Sequence, residues 1–103
     1  MKIFSSLTCT EYKSPDHPES PERIKESHKI LSKKFKIEKP KPCLDKHVLA
    51  VHTKDLFDKI KSGNFHNINT PALPGMFGYA KLAAGSAIAT AIYCVNEKEK
   101  TFS

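Results

Sequence analysis

The chain is poor in arginine. Its 17 lysine and arginine side chains include a single guanidinium, Arg23, and the guanidinium is the group that forks onto phosphate oxygens and guanine edges. The formal charge of +6 and the sequence pI of about 9.3 are therefore carried by lysines. These are scattered through every segment and read as a solvated surface, so a nucleic-acid partner is not expected. A Cys-x-x-Cys pair is also lacking. Cys9, Cys43 and Cys94 lie far apart and leave an odd thiol, which fits a reduced, cytoplasmic compartment better than a disulfide framework. No apolar run reaches the roughly 20 residues that span a bilayer. The longest, "LAAGSAIATAIYCV" at 82–95, suits a buried core helix, and the apolar part of "MKIFSSLTC" is too short for a signal h-region, so neither membrane nor export is expected. H-E-x-x-H, G-x-S-x-G, Walker A and G-x-G-x-x-G patterns are absent, as are internal repeats and low-complexity tracts.

What is present reads as alternating short elements. "KIFSSL" at 2–7 is β-compatible and runs into the polar loop "TCTEYKSPDHPES". Ser20 as N-cap, Pro21 at the first helical position and Glu22 beside the positive end of the helix dipole predict a helix start there. Ile24, His28, Leu31 and Phe35 follow at helical spacing as its inner stripe, and "KIEKPKP" with Pro40 and Pro42 ends it. Two short helices are expected over "DKHVLAVH" and "TKDLFDKIKSG", capped by Asp45 and Thr53, with Gly63 as a stop. "NFHNINTPALPG" is a loop. After Pro74 a long helix is expected from about Met76 to Asn96, and its small-residue face of Ala80, Ala83, Ala84, Ala87 and Ala91 would admit another element close to its backbone. "TFS" reads as the beginning of a strand.

Length suits one small domain. Two short strands, however, cannot form a sheet that covers so apolar a last helix, so the order suits the opening of an α/β fold whose parallel sheet continues further.

No catalytic or metal centre emerges from spacing alone. The candidate ligands are His17, His28, His47, His52 and His66. His47 and His52 are five apart, which turns them away from each other on a helix, whereas residues four apart share a face. His28 falls on the core-facing stripe and His52 at a helix end.

Three blocks nevertheless stand in a telling order. "SPDHPESPERIKESHKIL" resembles the "DHP..P.R" opening block of the histone deacetylase superfamily, particularly its acetoin-utilisation-type members. "VLAVHTKDLFDKIKSG" is similar to the following block, and "NINTPALPGMFGYAKLAAGSAIATA" to the third, a "D.DTP" loop leading into a helix rich in small residues. The blocks lie between Ser14 and Ala91, and the resemblance extends over about residues 3 to 95. The resemblance implies an α/β fold of the arginase/deacetylase-like three-layer type with a parallel sheet, of which this mostly helical stretch, residues 1–103, is the N-terminal portion. It implies a zinc-dependent hydrolase of acetyl amides, in which zinc-bound water attacks the carbonyl, a histidine pair serves as acid and base, and a tyrosine polarises the oxygen. Those groups belong to later blocks, beginning with an "RPPGHH"-like segment. This chain alone is therefore expected to hold no zinc and to be inactive.

The residues carried over are few. His17, Pro18 and Pro21 supply the motif. Arg23 matches the arginine that lines an internal cavity beneath the metal, where acetate leaves, and a buried carboxylate is where a bidentate, permanently charged guanidinium outperforms lysine. Tyr12 matches an aromatic position near the same pocket. Asn69, on the substrate rim, departs from the pattern: members commonly carry an acid there that accepts two backbone N–H bonds, and an amide keeps only one acceptor oxygen. Asn67 is a second such substitution. Acetyl-lysine and a small acetylated amine both stand as implied substrates, with a separately encoded C-terminal half as a possible partner. The alternative is a basic helical binding module or assembly subunit without catalysis.

Overall fold

Lys2–Phe4 forms strand β1, the middle of a three-stranded parallel sheet in the order β2-β1-β3. In the computed structural model, residues 1–11, 20–65 and 74–103 are described. Strand β2 is Ile37–Glu38 and β3 is Thr101–Phe102. The register sets Ile3 opposite both Ile37 and Phe102, which puts these three apolar side chains in one row on one face. Backbone bonds from Ser5 N–H to Glu38 O (3.0 Å) and from Lys2 N–H to Lys100 O (3.1 Å) extend the two ladders.

The expected strand over 2–7 stops at Phe4, and the expected loop opens with a 3-10 turn at Leu7–Glu11. Ser6 causes the break. Its hydroxyl accepts the Thr8 N–H at 3.2 Å and its carbonyl accepts the Cys9 N–H at 3.3 Å, local bonds that compete with a ladder.

Helix α1 is Pro21–Leu31, with Ser20 at the N-cap as expected. The Ser20 hydroxyl donates to Glu22 Oε2 at 2.6 Å and makes no cap bond to the backbone. The helix ends at Leu31, short of Phe35, and β2 occupies part of the stretch expected to be only a terminator. Pairing with β1, remote in sequence, organises those two residues. No α1 side chain is buried. The expected inner stripe borders a cavity, and Ile24 remains 42% exposed.

Helix α2 is Asp45–Leu49 and α3 is Lys54–Ser62. Asp45 is the first helical residue and not the expected cap: Leu44 is the N-cap, and its N–H donates to His47 Nδ1 at 3.0 Å. Asp45 instead accepts from Lys81 Nζ at 2.6 Å. In α3 the Thr53 hydroxyl accepts the Leu56 N–H at 3.3 Å, and Gly63 closes the helix at φ 79°, both as expected.

Helix α4 is Met76–Glu97. Its sheet-facing side carries Leu82, Ser86 and Tyr93: Leu82 is buried, the Ser86 hydroxyl donates to Phe4 O at 3.2 Å, and the Tyr93 ring meets Phe4 edge-on at 6.0 Å. The close approach expected along the alanine face occurs elsewhere. Ala80, Ala83, Ala84, Ala87 and Ala91 are exposed, while the connection from β2 to α2 lies directly on Gly85. A Cβ there would sit 1.9 Å from Lys41 O and 2.8 Å from Cys43 N, and the Cys43 N–H donates to Lys81 O at 2.8 Å. Among the described residues, no helix is long and apolar enough to cross a membrane.

Ion pairs trim the sheet edges. Lys2 pairs with Glu38 across β1–β2, and its ammonium lies 4.5 Å from the Tyr93 ring centroid. The N-terminal ammonium pairs with Glu99 at 3.0 Å.

Two expectations follow. Gly85→Ala should destabilise the fold by about 1–3 kcal/mol, because the clash is with backbone that cannot swing aside, whereas Gly78→Ala, with open space around it, should be neutral or slightly stabilising; urea unfolding of both variants distinguishes them.

The second concerns pH. A hydrogen bond from Lys2 holds the Glu38 carboxyl below its ordinary 4.5, one from Lys81 holds Asp45 below 3.8, and the N-terminal ammonium followed by the Tyr93 phenol does the same for Glu99. A depressed carboxyl contributes stability that is full above its ordinary value and is lost as pH falls through the folded value. Melting temperature should therefore fall on acidification below about pH 4.5, modestly and less so in high salt because these groups are exposed, and Glu38→Gln should blunt the fall.

Candidate ligand cavity

An open cavity of about 860 Å³ lies over the sheet, between α1, the 3-10 turn and the first turns of α4. Its floor is the cross-strand row Ile37, Ile3 and Phe102. Ile3 is 1% exposed at the centre of that row and Phe102 is 53% exposed at its edge. The cavity exists because α1 stands off the sheet, touching the 3-10 turn and burying none of its own residues. Its volume falls within the range of small-molecule sites, which combine apolar walls with a few polar groups.

Those polar groups come from three elements. Arg23 and Ser27 stand on the α1 wall one turn apart, with the Ser27 hydroxyl donating to Arg23 O at 2.9 Å. His28 lies 3.4 Å, Nδ1 to Oγ, from Ser5 at the end of β1. Tyr79, on the first turn of α4, donates its phenol to Glu11 Oε2 at 3.1 Å. Partial desolvation and then the bond to Glu11 push the Tyr79 phenol up, and burial does the same to the Cys9 thiol. Both groups are thus held neutral at physiological pH. The arrangement is a guanidinium at the wall of a chamber with an apolar floor, with a neutral phenol already committed to Glu11 and a neutral thiol also among its lining groups.

Of the residues singled out from the sequence, Arg23 and Pro21 line this cavity. Tyr12, His17, Pro18, Asn67 and Asn69 lie outside the described residues. Spacing did not point to Cys9 or Tyr79, and His28 was expected to face a core. Nothing in the local pattern brings these three together, because they sit on separate elements that meet only through the fold.

The histidines do not converge. His28 lines the cavity, whereas His47 and His52 both line a separate groove between α2, α3 and α4, where His47 accepts the Leu44 N–H through Nδ1. His66 falls, with His17, outside the described residues. Among the described residues no group of three or more His, Cys, Asp or Glu side chains could hold a metal ion, and the resemblance places the zinc ligands in later blocks.

Compared with known proteins, the chain matches no family model and no curated relative.

Thiol reactivity checks the cavity directly. Cys94 is exposed, Cys9 half-buried and Cys43 buried, and only the thiolate reacts. Labelling with a disulfide reagent should modify Cys94 first and Cys9 more slowly, with Cys43 reacting only on unfolding. Equal rates at Cys9 and Cys94 would contradict the enclosed, raised-pKa environment of Cys9.

Proposed function

We propose that the chain is the front portion of a cytoplasmic zinc-dependent deacetylase acting on acetyl-lysine or a small acetylated amine, and that it contributes the wall of a product pocket but not the chemistry. The observation that carries this reading is the position of Arg23 on a cavity floored by a parallel sheet. The resemblance implies an acetate-binding guanidinium there, and Arg23 supplies a guanidinium at the wall of a chamber with an apolar floor, the group that grips a carboxylate by both oxygens. Further support comes from the order of the three sequence blocks and from the strand arrangement. Parallel sheets are normally covered on both faces within larger α/β folds, and three parallel strands of two or three residues suit a piece of such a fold better than a sheet complete in itself.

In this reading Arg23 acts by position. It holds the acetate released on deacetylation through charge-assisted, two-pronged hydrogen bonds. Zinc, when bound in the whole enzyme, supplies the activated water; residues beyond those described would hold it.

Acetate titration followed by NMR tests this reading. Acetate should move the His28 and Tyr79 ring resonances saturably, Arg23→Ala should abolish the effect, and Arg23→Lys should weaken it, because an ammonium cannot grip both oxygens. Equal shifts with chloride at matched ionic strength, or an undiminished response in Arg23→Ala, would overturn it.

A further inference from the structure

The cavity beside Arg23 is far larger than acetate. An acetate ion takes up on the order of 100 Å³, about three times the ~30 Å³ share of a liquid water, whereas the chamber encloses about 860 Å³. Acetate on Arg23 would leave the floor of Ile37, Ile3 and Phe102 uncovered. Apolar side chains continue up the walls, with Ile24 and Leu31 on α1 and Met76 on α4. Ile24 is 42% and Phe102 53% exposed, and both line this space. The walls are elements of this chain, α1, the 3-10 turn and α4, so the occupant has to fit inside a chamber already formed.

Size and charge together select the ligand class. Among the described lining residues Arg23 is the one permanently charged side chain, so one anionic group is favoured at its wall. Arg23 also has interactions within the chain, but a guanidinium carries five N–H donors, enough to grip both oxygens of a carboxylate alongside another partner. The row from Ile37 across Ile3 to Phe102 crosses three strands, about 10 Å at the usual strand spacing. A zigzag chain of about eight carbons, with bonds of about 1.5 Å, has that length.

We propose that the cavity binds an unbranched monocarboxylate of medium chain length, with octanoate as the type, its carboxylate on Arg23 and its hydrocarbon over the Ile37, Ile3 and Phe102 row. Such a ligand occupies on the order of 300 Å³, so it covers the floor and leaves the open side wet. The inference stands on the chamber and not on the deacetylase reading. Where both hold, the longer carboxylate displaces acetate from Arg23.

Titration of the full chain with sodium octanoate at neutral pH, followed by NMR, tests the proposal. The methyl resonances of Ile3, Ile24 and Ile37 should shift saturably, while those of Val48 and Val51, in the separate groove between α2, α3 and α4, stay in place. Octanoate should bind at least tenfold more tightly than acetate, since full burial adds about fourfold per methylene, equivalent to about 0.8 kcal/mol. Arg23→Ala should weaken octanoate at least tenfold, and 1-octanol, which keeps the chain without the charge, should bind at least tenfold more weakly than octanoate. Ala83→Leu adds bulk to the cavity wall on α4 and should weaken octanoate severalfold, whereas Ala87→Leu, beside the other groove, should not. Octanoate binding no tighter than acetate would overturn this inference and leave the deacetylase reading intact. Tight octanoate binding through Arg23 with acetate silent would uphold it and count against that reading. Octanol as tight as octanoate, an undiminished response in Arg23→Ala, or equal shifts at Val51 would each overturn it.

Discussion

The fold depends on a side chain that is missing. Gly85 lies under the connection from β2 to α2 so closely that even a methyl group would meet the Lys41 carbonyl. The absence of a Cβ lets the Cys43 N–H reach Lys81 O on the helix, and the same contact carries Lys81 to Asp45. On one side the connection continues into β2 and so into the sheet. On the other it delivers α2 and then α3, whose Phe57 packs on Phe77 of α4. A glycine inside a helix costs about 1 kcal/mol relative to alanine, and here that cost is offset by docking a whole segment with its backbone hydrogen bond satisfied.

The cavity follows from the same arrangement. With α4 held against one face of the sheet through Phe4, Tyr93 and Ser86, the other face, carrying Ile3, is left to α1. That helix presents a moderate stripe broken by His28 and flanked by lysines, and it rests on the 3-10 turn without closing onto the strands. The space left between helix and sheet has an apolar floor, and the polar groups at its walls are those that happen to face inward from α1, α4 and the turn. Arg23 is placed there because Pro21 starts the helix two residues earlier and so sets its phase.

Much of the helical framework was legible in the sequence. Thr53 and Gly63 bracket α3 because a hydroxyl cap and a left-handed glycine act within a few residues of the ends they specify. Pro74 and the apolar run after it indicate α4 for the same reason. Strand β2 was not legible: Ile37 and Glu38 sit in a lysine- and proline-rich stretch, and only β1, more than thirty residues away, makes them a strand. Asp45 has the chemistry of a cap, yet Lys81 competes for its carboxylate and His47 takes over the cap. The alanine face was recognisable as a packing surface, but the sequence could not say that the close contact would fall on Gly85 and leave most of the alanines lining the cavity and the groove.

The candidate site divides along the same line. The sequence alone determined that one guanidinium stands at the start of a helix after a proline-rich loop, because a cap, a proline at the first turn and helical phase are local effects. Only the tertiary structure decided that this guanidinium shares a chamber with Cys9, His28 and Tyr79, and that the floor is the row Ile37, Ile3 and Phe102. Apart from His28, which shares α1 with Arg23, those neighbours come from elements remote in sequence, and their proximity is set by parallel strand register and by the fit of the β2–α2 connection on Gly85, neither of which leaves a periodic trace along the chain.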